Sequence, residues 1–332
     1  MAMNDWKIFR GKGESHDDIA SLPDPPPWRF ARAPRTIGPP PPDLDLNAEA
    51  ARSAPFLPTE PMVLAVNTAL YLRRPLLLTG KPGTGKSTLI SKVACELKLG
   101  PVLKWPISSR STVRGGAYEY DAVGRLQAGK GVDPPVENYL TLGPLGTALV
   151  ARDRPRALLI DEIDKSDLDF ANDLLNVIED GEYDIPELQR LGVPFVTVKD
   201  ISGRPIQIEK GRLVCRQFPF VVMTSNGERE FPAPFLRRCV RLMIEPPTQT
   251  ELANIVDAHL AQFLDDAKRA DVETLVAKFV SDRQQQDIST DQLLNAIFLT
   301  VAMRGVDART FSPEELTQVR TALFRPLSGA GA

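Results

Sequence analysis

Histidine is nearly missing from this chain of 332 residues: there are two, His16 and His259, far apart in sequence. That leaves little support for a zinc site or a histidine base, and both are expected at the surface. Cysteine is scarce too. Cys95, Cys215 and Cys239 are scattered, odd in number and without metal-ligand spacing, so they read as reduced core residues. Neither sign of charge dominates, with 40 Lys and Arg against 43 Asp and Glu and a net charge of −3. Nucleic acid is therefore not the default partner, although a local basic loop is compatible with this balance. The start, Met1 to Arg10, lacks an apolar signal core, and no run approaches a membrane span. A soluble, cytoplasmic protein with no membrane partner is expected. At 42% apolar residues the chain can bury at least one sizeable core, and its length allows two domains.

Proline, by contrast, is concentrated. Nine prolines fall between Pro23 and Pro42, which rules out helix or central strand there and predicts an extended stretch within a proline-rich N-terminal arm, residues 1–58. Trp28, Arg29 and Phe30 interrupt it with side chains too large for a pure spacer. They fit either a clasp onto the chain's own core or a contact with a partner or neighbouring subunit.

The strongest chemical signal is residues 80 to 88, Gly-Lys-Pro-Gly-Thr-Gly-Lys-Ser-Thr, directly after the apolar run Pro75-Leu-Leu-Leu-Thr79. This is the pattern of a phosphate-binding loop between a buried parallel strand and a helix. Gly80, Gly83 and Gly85 let backbone N–H groups turn inward around phosphate oxygens, and the helix starting near Lys86 adds the positive end of its dipole. Lys86 reaches the β- and γ-phosphates and Ser87 ligates magnesium. Lys81, Pro82, Thr84 and Thr88 complete the nucleotide-binding set. A second buried-strand pattern, Ala157-Leu-Leu-Ile-Asp-Glu-Ile-Asp164, ends in acids and is expected to lie beside the first strand. Asp161 then holds the magnesium shell and Glu162 polarises a water for attack on the γ-phosphate. Asp164 and Asp167 are expected only to cap the following helix.

Around these motifs the periodicity alternates strand and helix over 59–246. Helices are expected at 59–72, 86–97, 138–151 and 168–178, and strands at 102–107, 218–224 and 240–244. The glycine-rich stretch 113–131 reads as a hairpin or loop insertion. Residues 182–215, with turns at Ser202-Gly203 and Lys210-Gly211, read as a second, hairpin-bearing one. After Pro246-Pro247, helical spacing at 250–263, 272–281, 291–303 and 313–323 predicts a helical domain over 247–325.

The phosphate loop, the Leu-Leu-Ile-Asp-Glu-Ile-Asp run, the strand ending Thr224-Ser-Asn226 and the segment Pro234-Phe-Leu-Arg-Arg-Cys239, in that order, resemble an AAA+ ATPase. The positions of both insertions resemble the MoxR branch. The resemblance implies an α/β fold: a P-loop parallel αβα sandwich with two hairpin insertions and a small all-α lid. It implies ATP or ADP with Mg2+ as cofactors, Asn226 as a polar sensor, and Arg238, with Arg237 as the second choice, as a finger reaching the neighbouring subunit's nucleotide. It also implies a ring, a hexamer, and a partner carrying a von Willebrand factor A domain, as in some bacterial defence systems. One departure stands out. The segment Asp287-Ile-Ser-Thr-Asp-Gln-Leu-Leu offers no basic lid sensor, and Arg283 and Arg304 are the substitutes. Two other readings stay open: a nucleotide-controlled switch with slow hydrolysis, and a nucleic-acid motor using Arg110, Arg114, Arg125 and Lys130.

Overall fold

The computed structural model describes residues 6–29, 50–51, 53–128, 134–283, 288–302 and 312–324. Contacts divide the chain into two compact units. One comprises Met1–Ser53, Leu57–Thr79 and Ser87–Met243, the other Ala54–Phe56, Gly80–Lys86 and Ile244–Ala332.

In the first unit, parallel strands β1 (Leu76–Thr79), β2 (Leu103–Pro106), β5 (Ala157–Asp161), β10 (Phe220–Ser225) and β11 (Val240–Met243) form one sheet in the order β11-β1-β10-β5-β2. The unbroken apolar runs of β1, β5 and β10 follow from burial on both faces. A fully buried Leu or Ile such as Leu76, Leu158 or Ile160 contributes about 1.5–3 kcal/mol. The acid-bearing strand does not lie beside β1, as the sequence suggests: β10 is inserted between them, pairing Leu78 with Thr224 on one side and Met223 with Ile160 on the other. Helices α1 (Glu60–Leu72), α2 (Lys86–Glu96) and α3 (Leu168–Asp180) accompany the sheet. Pro61 occupies the first turn of α1, where a missing N–H costs nothing, and Gly181 ends α3 in a left-handed cap at φ 66°.

A second sheet gathers the insertions in the order β3-β4-β7-β8-β9-β6, from β3 (Tyr118–Tyr120), β4 (Leu140–Leu142), β6 (Glu182–Asp184), β7 (Phe195–Lys199), β8 (Pro205–Glu209) and β9 (Arg212–Val214). The expected turns at Gly203 and Lys210-Gly211 link β7 to β8 and β8 to β9. In the first insertion, β3 is flanked by helical turns at Val113–Ala117 and Ala122–Ala128; residues 129–131 lie outside the described set. The helix expected over 138–151 is absent. Instead a 3-10 turn over Val136–Tyr139 leads into β4, and the α-helix is confined to Pro144–Ala148. Strand pairing accounts for this: Leu140–Leu142 pair antiparallel with Tyr118–Tyr120, and Pro144 sits in the first turn of the short helix that follows.

The segment before the prolines is stitched to α1 and α2. Asn67 Oδ1 accepts from the N–H groups of Ile8 and Phe9 at 2.7 and 3.0 Å. Glu96, 1% exposed, accepts from Gly13 N–H at 2.8 Å and stands 3.5 Å from His16 Nε2. His16 is thus half-buried rather than on the surface, whereas His259 is exposed. All three cysteines are buried, and none is joined in a disulfide.

The second unit contains α4 (Gln249–Leu260), α5 (Asp266–Arg283), α6 (Thr290–Ile297) and α7 (Pro313–Leu323). Leu252, Val256, Leu275, Phe279, Leu293 and Ile297 share its core. Capping boxes Thr248/Glu251 and Ser289/Gln292 start α4 and α6. Helix α5 begins earlier than its apolar spacing indicates, because Asp265 Oδ1 accepts from Lys268 N–H at 2.9 Å and caps its first turn. Met303 lies outside the described residues. None of the described helices is long and apolar enough to cross a membrane.

Candidate active site

The loop from Gly80 to Lys86 is shaped by two glycines in the left-handed region, Gly83 at φ 74° and Gly85 at φ 84°. Thr84 Oγ1 donates to Lys81 O at 2.9 Å. Lys86 Nζ folds back onto Gly80 O and Lys81 O at 2.6 and 2.9 Å, so the loop closes around its own ammonium. Lys81 and Pro82 are exposed, and Thr88 is half-buried. A Cβ on Gly85 would meet the Phe56 ring at 2.5 Å, and one on Gly83 would meet Ser289 Cβ at 2.9 Å and Asp291 Oδ1 at 3.0 Å. The start of α6 therefore brings the Asp291 carboxylate and the Thr290 N–H close to the loop, while the Ser289 hydroxyl donates to Gln292 Oε1 at 3.2 Å. Arg283, one proposed substitute for a basic sensor, donates to Pro247 O at 2.6 Å and lies over the Phe279 ring. Arg304 is outside the described residues.

In the first unit, the carboxyl ends of β5 and β10 bring a polar cluster together. Asp161 Oδ1 accepts from Ser87 Oγ at 3.2 Å and from Thr224 Oγ1 at 2.5 Å. Thr224 Oγ1 also accepts the Glu162 N–H at 2.9 Å. That bond holds Glu162 at φ 59°, a left-handed conformation costing about 1 kcal/mol or more for a residue with a side chain. Asn226 Nδ2 donates to Glu162 Oε1 at 3.4 Å, a long contact, while the other Glu162 oxygen pairs with Lys165. The hydrogen bond to Glu162 raises the Lys165 ammonium above its ordinary value. A hydroxyl and a carboxylate converging at Ser87 and Asp161 form a hard-oxygen donor set suited to magnesium.

Asp167 caps α3, accepting from Phe170 N–H at 2.6 Å, as its position suggests. Asp164 does not cap. It is 4% exposed, and its Oδ2 accepts from Ser225 Oγ at 3.0 Å, Asn226 N–H at 2.9 Å and Glu228 N–H at 3.2 Å. It therefore moors the turn that carries Asn226. Thr224, Asp164 and Lys165 were not singled out from sequence as site residues. The available signal was a threonine closing an otherwise apolar buried strand.

Arg238 and Arg237 occupy different settings. Arg238 Nε stands 3.3 Å from Glu179 Oε2, and its Nη1 donates to Asn176 Oδ1 at 3.0 Å. Arg237 is exposed; its backbone carbonyl accepts from Arg74 Nη1 at 2.9 Å. Among the basic residues of the first insertion, Arg114 pairs with Glu187 and Arg125 Nε donates to Pro134 O at 2.8 Å. Arg110 is exposed, and Lys130 lies outside the described residues.

No curated protein matches the chain. Residues 75–238, which span the phosphate loop, the acid cluster and both arginines, match the family model of the AAA domain, dynein-related subfamily.

Proposed function

We propose that the protein is a MoxR-like AAA+ ATPase that hydrolyses ATP with magnesium and, as a ring, remodels or activates a partner protein. The observation that carries the reading is the convergence of Ser87, Asp161, Thr224, Glu162 and Asn226 at the carboxyl ends of β5 and β10. Magnesium, when bound, neutralises phosphate charge. Ser87 and Asp161 hold it, and Gly80 through Thr88 cradle the phosphates with Lys86 as their counter-charge. Glu162, fixed by Thr224 at its backbone and approached by Asn226 at its carboxylate, takes the proton of the attacking water. Arg238, or Arg237, stabilises the charge on a neighbouring subunit's nucleotide, which makes turnover depend on assembly. The partner expected from the resemblance carries a von Willebrand factor A domain, and the site of action is the cytoplasm.

Glu162→Gln should bind ATP as the wild type does and release no phosphate, whereas Lys86→Ala should lose ATP binding. Normal turnover by Glu162→Gln would remove Glu162 from its role. A second reading, a nucleotide-controlled switch with slow hydrolysis, is favoured by the Ser289 and Asp291 side chains standing where a basic lid sensor is expected. The nucleic-acid motor is disfavoured, because Arg114 and Arg125 are engaged within the chain.

A further inference from the structure

Two features of the chain have no part in the cluster above: the Trp-Arg-Phe interruption of the proline segment, and the tie that holds Arg238. One carboxylate joins them. Glu179, close to the C-terminal end of α3, faces Arg238 Nε with Oε2 at 3.3 Å and Arg29 Nη2 with Oε1 at 3.5 Å. The two arginines differ in their freedom. Arg29 is 7% exposed, and its N–H donates to Pro26 O at 2.7 Å, so the proline turn fixes its backbone. Neighbouring Trp28 is 69% exposed, so it is Arg29, not the indole, that engages the body of the unit.

A guanidinium does not give up its proton, and a buried one needs a carboxylate close by. Burial pushes the Arg29 pKa down, Glu179 pushes it up, and the nearby Arg74 and Arg238 push it down again. Arg29 is thus bound to Glu179 by the cost of leaving it. Arg238, with 30% of its side chain exposed, has water as an alternative and is the more readily released. A carboxylate shared by two guanidiniums holds each less firmly than one facing a single cation.

We propose that Arg29 is a positioning residue for Arg238: by taking part of the charge of Glu179, it loosens the contact that parks the Arg238 guanidinium on its own subunit. The proline-rich arm thereby sets how readily the finger turns to a neighbouring nucleotide. The inference rests on the reading of Arg238 as that finger, and the variants below separate the two.

Steady-state phosphate release by the full chain, over a range of protein and ATP concentrations, supplies kcat and KM. Arg29→Met should lower kcat by about threefold to fivefold, the scale of a partly exposed ion pair, with KM and ATP binding unchanged. Arg29→Lys keeps the charge and should stay near wild type. Adding Glu179→Gln to Arg29→Met should restore kcat, because the unshared carboxylate is then gone. The inference is overturned by wild-type kcat in Arg29→Met, or by a double variant as slow as the single one, which would mean that the arm acts through packing alone. Arg238→Ala is the control. Wild-type turnover there would remove the finger and this inference together, while a slow Arg238→Ala beside an unaffected Arg29→Met would remove only the coupling.

Discussion

Replacing Asp164 should damage both stability and turnover, although it lies outside the phosphate loop and the magnesium ligands. Its Oδ2 accepts three hydrogen bonds, from Ser225 Oγ, Asn226 N–H and Glu228 N–H, at a residue 4% exposed. In Asp164→Ala the two backbone donors lose a charged acceptor where water enters poorly, at about 1–3 kcal/mol each, so the total cost is about 3–5 kcal/mol. For a chain of this size that is a fall in Tm of about 10 °C. Asp164→Asn keeps one carbonyl acceptor and should lose about half as much. Asp167→Ala, which removes only an exposed cap, should cost about 1 kcal/mol. Thermal unfolding followed by circular dichroism gives this order directly. Because the freed turn carries Asn226, phosphate release by Asp164→Ala at a temperature where it stays folded should also drop by about tenfold or more. Equal melting temperatures for Asp164→Ala and Asp167→Ala, or wild-type turnover in the folded Asp164 variant, would refute the mooring role.

Gly85→Ala should weaken ADP binding in calorimetric titration, because φ 84° disfavours a side chain and the added Cβ would meet the Phe56 ring at 2.5 Å; unchanged affinity would show that the loop does not need this geometry. Burial pushes the Cys215 and Cys239 thiols up to about 12, so neither should react with iodoacetamide at neutral pH until the protein unfolds. Since unfolded thiols ionise near pH 8.5, the native state holds more protons between there and about 12. The stability from these thiols is complete below about pH 8.5 and declines as pH rises, by about 1.4 kcal/mol per unit for each thiol. Urea unfolding at pH 8 and pH 10.5 should show that slope, and Cys215→Ala with Cys239→Ala should flatten it; an unchanged slope would contradict the assignment.

What the sequence revealed was local in character. The phosphate loop was legible because its glycines, Lys86 and Ser87 are consecutive and directly follow an apolar strand. Asp161 and Glu162 were legible because they close a second such strand. The sheet order was not, because strand neighbours depend on how β10 crosses between β1 and β5 rather than on any pattern within them. Asp164 was misread as a cap for the same reason: its donors, Ser225 to Glu228, are remote in sequence, and nothing in the Ile163-Asp164-Lys165 stretch signals them. The expected helix at 138–151 failed because apolar spacing cannot register that Leu140–Leu142 pair with Tyr118–Tyr120, a partner some twenty residues away in sequence. Arg29 stands out among the prolines around it, but its partner Glu179 comes from a helix distant in sequence.

The most direct test of the account is mass by light scattering, with phosphate release followed in the same samples, for wild type and Glu162→Gln with ADP and with ATP plus magnesium. The account predicts that both proteins assemble beyond the 36.5 kDa monomer with ATP, and that turnover is lost only in the variant. A wild-type protein that stays monomeric in every nucleotide state would contradict the inter-subunit finger and leave the switch as the better reading.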